Sequence, residues 1–151
     1  MKAQRSSAAQ PIKTLPNAHR LLDASALLAW FQNEAGSDLV QQQLAHARTS
    51  IAAPNLTEVI GKLVSSGHAP VNEVERDLDT LNLNVVAYDE TLARGGAYLY
   101  ARRNAYGLSL GDCACLTTGE SLGIEILTAE HAWAKLTALR TRVRLIREKS
   151  F

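Results

Sequence analysis

Apolar residues in this chain fall in short runs separated by longer amphipathic stretches. Leu21-Leu22 stops at Asp23, which predicts a buried strand ending on an acid. Ala24 to Phe31 predicts a helix, and Leu39, Leu44 and the alanines between Gly36 and Ala47 predict a second, followed by a brief strand over Thr49 to Ala53. Pro54 suits a first helical turn and Asn55 a cap, so Leu56 to Ser66 reads as helix, ended by Gly67 and Pro70. Val71, Val74, Leu78 and Leu81 share one face of a further helix whose exposed side is acidic. Leu83 to Tyr88 predicts a strand and Glu90 to Asn104 a helix; Gly107 then opens a loop before a helix that Asp112 starts and that runs to about Ser121. Ile124 to Leu127 predicts a strand, Glu130 to Ala138 a short helix, and Val143 to Ile146 a last strand in a basic tail.

Short strands alternating with helices predict a mainly parallel sheet covered on both faces, an α/β fold. The 151 residues fit one domain, and 46% hydrophobic content supports a packed core. Only 5% are aromatic, so that core is aliphatic. Residues 1–19 carry no periodicity and read as a flexible extension, with the domain spanning 20–151. A net charge of +1 gives no global field that selects a polyanion or a membrane. Cys113 and Cys115 lack zinc-ligand spacing and read as reduced thiols. No apolar run reaches the roughly 18 residues needed to cross a bilayer, and the expectation is a cytoplasmic protein without a membrane partner.

Chemistry enters at the element junctions. Parallel sheets place their sites at the carboxyl ends of strands, where the strand order reverses. Asp23 follows the first strand, Glu58 lies early in the helix after the second, Asp112 opens a helix and Glu130 follows the strand at Ile124 to Leu127. Carboxylates gathered at one edge repel one another unless a cation joins them, and hard oxygen ligands select Mg2+ or Mn2+. Two such ions suit phosphodiester hydrolysis. The chain carries no GxxxxGK[ST], GxGxxG or GxSxG motif. Taken singly, Asp112 also suits an ordinary helix cap, and Glu58 a carboxylate that complements a helix dipole.

These residues lie in four pieces: Leu21-Leu22-Asp23-Ala24-Ser25-Ala26-Leu27-Leu28-Ala29, Ala53-Pro54-Asn55-Leu56-Thr57-Glu58-Val59, Leu108-Ser109-Leu110-Gly111-Asp112-Cys113-Ala114-Cys115-Leu116, and Leu127-Thr128-Ala129-Glu130-His131-Ala132-Trp133. In order and spacing they resemble the PIN-domain family, specifically its VapC-like ribonuclease toxins, over Arg20 to Ile146. The resemblance implies a three-layer α/β/α fold, cleavage of RNA with Mg2+ or Mn2+, a cognate VapB-like antitoxin and a homodimer. It implies that Asp23, Glu58 and Asp112 are the principal acids and metal ligands, and that Ser25 is a hydroxyl orienting water or substrate, although a local backbone bond is the simpler role for such a serine. Glu130 stands where the family usually has Asp; it keeps the charge on a longer arm, which implies an indirect metal contact. That departure supports a second reading, a PIN-like module without catalysis that holds RNA or a protein. The haloacid-dehalogenase pattern also puts an Asp after its first strand, but its second Asp falls here on Ser25. Arg102, Arg103, Arg140, Arg142, Arg144, Arg147 and Lys149 are candidates for RNA phosphates, although a solvated basic face is the commoner meaning of such a set.

Overall fold

The structure, a computed structural model, describes residues 14–136 and 140–148. Five strands form one sheet in the order β3-β2-β1-β4-β5, all neighbours parallel: β1 (Arg20–Leu22), β2 (Thr49–Ala52), β3 (Asn84–Val86), β4 (Glu125–Thr128) and β5 (Val143–Leu145). The helices are α1 (Ala24–Phe31), α2 (Ser37–His46), α3 (Ala53–Ser65), α4 (Val71–Asp79), α5 (Glu90–Ala101), α6 (Arg103–Tyr106) and α7 (Leu110–Leu122), with a short 3-10 helix at His131–Lys135. The expected α/β/α layering holds.

Strand period 2 divides the core. Leu22 and Leu127 pack with residues of α1, α2, α3 and α4 on one face. Leu21 and Ile126 pack with Leu99 of α5 and with Cys113, Cys115 and Leu116 of α7 on the other. Each central strand is buried on both faces, which is why these strands read as continuous apolar runs rather than alternations.

The amino end of β1 is tied by Arg20, which is 4% exposed. Its guanidinium donates to Glu125 Oε1 at 2.8 Å, to the Pro16 carbonyl at 2.8 Å and to Gln43 Oε1 at 2.9 Å. The expected extension at 1–19 therefore divides. Residues 1–13 lie outside the described residues, while Leu15 packs on the core and its N–H donates to Gln42.

Several boundaries differ from the sequence reading. Asn55 does not cap α3: the cap position is Ala52, without a side-chain bond, and Asn55 is buried in the first turn. Asp112 does not open α7, since Ser109 caps it and Asp112 closes a reciprocal capping box three residues later. The long helix expected over Glu90 to Asn104 breaks at Arg102, and Arg103 donates to the carbonyl of Tyr100. The helix expected from Glu130 is a 3-10 turn, whose three-residue period aims both Trp133 and Leu136 into the core. Val71 departs from the face of Val74 and is 48% exposed. Among the described residues no helix is long and apolar enough to cross a membrane.

Close packing makes two helical glycines opposites. A Cβ on Gly119 of α7 would lie 2.6 Å from Ile126 Cδ1 and 2.8 Å from its Cγ1, whereas one on Gly61 of α3 meets nothing within 4 Å. Gly119→Ala is expected to destabilise the domain by about 1–3 kcal/mol through overpacking. Gly61→Ala is expected to stabilise it by about 0.5–1 kcal/mol through helix propensity. Urea unfolding of the two variants checks the opposite signs.

Candidate active site

The strand order runs 3-2-1 and then 4-5, so the sheet changes direction between β1 and β4, where α/β sheets open a crevice at their carboxyl ends. Asp23 leaves β1 at that point. Its N–H continues the ladder to the Leu127 carbonyl of β4 at 3.1 Å. Its side chain caps α1, with Oδ1 accepting from the Ala26 N–H at 2.8 Å. The Ser25 hydroxyl donates to both carboxylate oxygens, at 2.7 and 2.9 Å, and the Thr128 hydroxyl donates to Oδ2 at 2.6 Å.

The two hydroxyls are themselves positioned from β4. Ser25 Oγ accepts from the Ala129 N–H, and Thr128 Oγ1 from the Glu130 N–H, each at 2.9 Å. Asp23 is 3% exposed, and burial pushes its carboxyl up to about 6. The hydrogen bonds from Thr128, Ala26 and Ser25 oppose that rise, while the nearby charge of Glu130 adds to it. A hydrogen-bonded carboxylate still held above its ordinary range is one placed in a strongly desolvated position.

Glu58 comes to the same edge from α3. Its Oε2 accepts from Lys62 Nζ at 2.8 Å, and its Oε1 would lie 3.1 Å from a Cβ at Gly111. That glycine lets α3 and α7 approach: the Asn55 amide donates to the Gly111 carbonyl at 3.0 Å. Asp112, the next residue, has Oδ2 on the Ser109 N–H at 2.9 Å. Lys62 feels the charges of Glu58, Glu130 and Asp112, and buried Cys115, whose thiol burial pushes well above its usual range, feels Asp23, Asp112 and Glu58. Acids from four separate elements thus lie within electrostatic range of Lys62 or Cys115. Among the described residues, no three acidic, imidazole or thiol groups close into a metal cage.

The donor set around the crevice is oxygen. Both cysteines are buried, and burial raises both thiols, so neither offers a thiolate. Asn55 adds a further oxygen: it is 2% exposed, its Nδ2 is committed to Gly111, and its Oδ1 has no hydrogen-bond partner. Carboxylates, a buried amide oxygen and hydroxyls fit a hard divalent cation and its water better than a soft metal.

Four residues here carried no assigned chemistry in the sequence reading. Thr128 directly follows the strand predicted over Ile124 to Leu127 and ends the observed β4, two residues before Glu130, a position that points to the crevice. Asn55 resembled a cap, Lys62 lay on an ordinary helix spacing, and Gly111 sits inside the capping box Ser109-Leu110-Gly111-Asp112. His131 has a buried Nε2 that lacks a hydrogen-bond partner.

The basic candidates lie mostly elsewhere. Arg144 pairs with Glu125 at 2.9 Å on the first residue of β4, away from the carboxyl edge. Arg103 covers the Tyr100 ring at 4.1 Å, and Arg102 lines a cleft of about 470 Å³ between α5 and α7. Arg147 donates to the Ala35 carbonyl; Lys149 lies outside the described residues.

Comparison with known proteins agrees with this architecture. Solved structures of similar fold include a toxin–antitoxin complex from Klebsiella pneumoniae, with 18% identity and a TM-score of 0.65 over 86% of this chain and 99% of that one. VapBC from Salmonella typhimurium bound to DNA has 17% identity and a TM-score of 0.65 over 85% and 98%. VapBC-1 from nontypeable Haemophilus influenzae has 17% identity and a TM-score of 0.64 over 87% and 100%. At such identities the likeness is one of fold, and no curated protein matches the chain by sequence. The profile of the PIN domain matches residues 20–139, from the first residue of β1 to beyond the 3-10 helix, and so the chain belongs to the PIN domain family.

Proposed function

We propose that the chain is the endoribonuclease of a toxin–antitoxin pair and hydrolyses RNA phosphodiester bonds with Mg2+ or Mn2+ at the carboxyl edge of its sheet. The observation that carries this reading is the desolvated Asp23 carboxylate at the β1/β4 switch point, with Glu58, Asp112 and Glu130 brought toward it from α3, α7 and the β4 exit. Support for a VapB-like antitoxin partner comes from the toxin–antitoxin complexes of the same fold. The reading includes a homodimer and action in the cytoplasm.

Asp23, Glu58 and Asp112 would hold the cation, which when bound supplies Lewis-acid stabilisation of the phosphodiester oxygens. Ser25 and Thr128 each donate to Asp23, so they fix the rotation of its carboxylate before metal arrives. Glu130 is exposed beside this pair and acts at one remove, from a position whose backbone N–H anchors Thr128. With its carboxyl at about 6, Asp23 is ionised at neutral pH, the state that a cation requires.

Asp23→Asn is expected to abolish cleavage and keep α1, because Asn is also a good helix cap. In EDTA the wild-type protein holds the Asp23 proton to about pH 6 when folded and to about 3.8 when unfolded. Folding therefore binds a proton between those values, and this group's stabilising contribution is lost as pH rises through 6, a change of about 3 kcal/mol. Asp23→Asn should lack that slope. Urea melts across this pH range, alongside RNA cleavage in Mg2+, check both expectations; a wild-type cleavage rate would remove Asp23 from the site.

Glu130→Gln is expected to slow single-turnover cleavage by about 10–100-fold, less than Asp23→Asn, with Glu130→Asp tolerated. An unchanged rate for Glu130→Gln in saturating metal would leave three acids in the site. The antitoxin is expected to place an Arg guanidinium among Asp23, Glu58 and Asp112. Raising Mg2+ at constant ionic strength should then weaken inhibition, and an inhibition constant indifferent to Mg2+ would point to a remote blocking contact.

A further inference from the structure

We propose that Lys62 is the resident counter-cation of this acidic edge: it holds Glu58 in the metal-free protein and, once a divalent cation takes the carboxylates, turns to a phosphate of the RNA strand. The RNA half of this inference rests on the nuclease reading above.

Position and surroundings separate Lys62 from an ordinary helix-surface lysine. The chain offers an internal comparison, since α5 carries an acid–base pair of the same i,i+4 spacing, Glu90 with Arg94 at 2.7 Å. There both partners stand in solvent, 79% and 78% exposed, and such a pair does little beyond supporting its own helix. In α3 the acid is 31% exposed, and its second oxygen lies in the seam against Gly111, so the ion pair helps to set the orientation of a carboxylate at the crevice. The field of Lys62 extends beyond its own helix to Asp112 on α7 and Glu130 after β4. Among the described ion pairs, the others use Glu90 or Glu125, and this is the one that touches the crevice acids.

The ammonium is also free to move. Lys62 is 60% exposed on a four-carbon stem, and its ammonium is a compact point charge without the fixed fork that would bind it to one geometry. A divalent cation among the same carboxylates competes with Lys62 for Glu58 and repels it. The nearest compensating charge on a bound nucleic acid strand is a backbone phosphate. The same residue would then lower metal affinity in the free protein and raise RNA affinity in the loaded one, so that RNA and metal favour each other's binding.

Two measurements on the intact protein test this. Calorimetric titration with Mn2+ alone, without RNA, is expected to show Lys62→Met binding the metal about 3- to 10-fold more tightly than wild type. Lys62→Arg is expected to stay near wild type, and Arg94→Met, which breaks the comparison pair, to leave Mn2+ affinity unchanged. Binding of a single-stranded RNA oligonucleotide in Ca2+ is then followed against salt concentration. Lys62→Met should flatten the slope of log K on log salt by about 0.7, the loss of one phosphate contact, and Lys62→Arg should restore it. Equal or weaker Mn2+ binding by Lys62→Met overturns the counter-cation role, and an unchanged salt slope overturns the phosphate role. If wild type binds Mn2+ but neither binds nor cuts RNA under any metal, the nuclease reading and the phosphate role fall, while tighter Mn2+ binding by Lys62→Met still supports the counter-cation role.

Discussion

The hydrogen bond from Thr128 to Asp23 spans the point where the sheet reverses its strand order, and the rest of the molecule is organised around keeping it there. The two residues end adjacent parallel strands, 105 positions apart in the chain, and meet at 2.6 Å. A carboxylate that is 3% exposed loses nearly all of its hydration, and the surrounding donors replace only part of it. The site therefore stores destabilisation in this carboxylate. A buried charge of this kind survives only in a frame stiff enough to prevent water from reaching it. That frame is the aliphatic core on both faces of β1 and β4.

The sheet is electrostatically polarised along its strands. At the amino edge two guanidinium groups, Arg20 and Arg144, share one carboxylate, and although burial opposes it they hold Glu125 below its usual range. At the carboxyl edge the ratio inverts: among the described ion pairs, several acids share one lysine, bonded to Glu58. Both ends of β1 thus carry a buried charge, Arg20 and Asp23, but only the first has a full opposite charge in contact. The neutralised end serves the fold, and the unbalanced end is where a ligand of positive charge gains most.

Local devices at the crevice serve two levels at once. Asp23 caps α1, and Asp112 completes the capping box of α7, so each acid is fixed by backbone N–H groups at a helix start. Such bonds hold the carboxylates without long flexible arms. Gly111 and Asn55 bring α3 against α7 closely enough for Glu58 to join them. Helix capping and helix packing are the means by which this fold aims its acids.

Much of this was legible one residue at a time. Leu21-Leu22 stopping at Asp23 marked both a buried strand and the acid at its end, because a parallel strand covered on both faces has to be apolar throughout. The spacing of Asp23, Glu58, Asp112 and Glu130 at element junctions placed four acids on one edge, since α/β connections return every strand in the same direction. Boundaries failed where a tertiary contact outweighed local preference. Asn55 has the chemistry of a cap, but the carbonyl of Gly111 on another helix claims its amide. Trp133 and Leu136 tighten a helix into a 3-10 turn because both reach the same core. Nor does local sequence reveal that Thr128 bonds Asp23, that burial raises Asp23 to about 6, or that Lys62 stands among acids from other elements. Sequence alone determined which residues bear charge and which strand or helix each terminates, because those follow from period and propensity. Distances between groups far apart in the chain, and the solvent each loses, were decided only when the helices closed over the sheet.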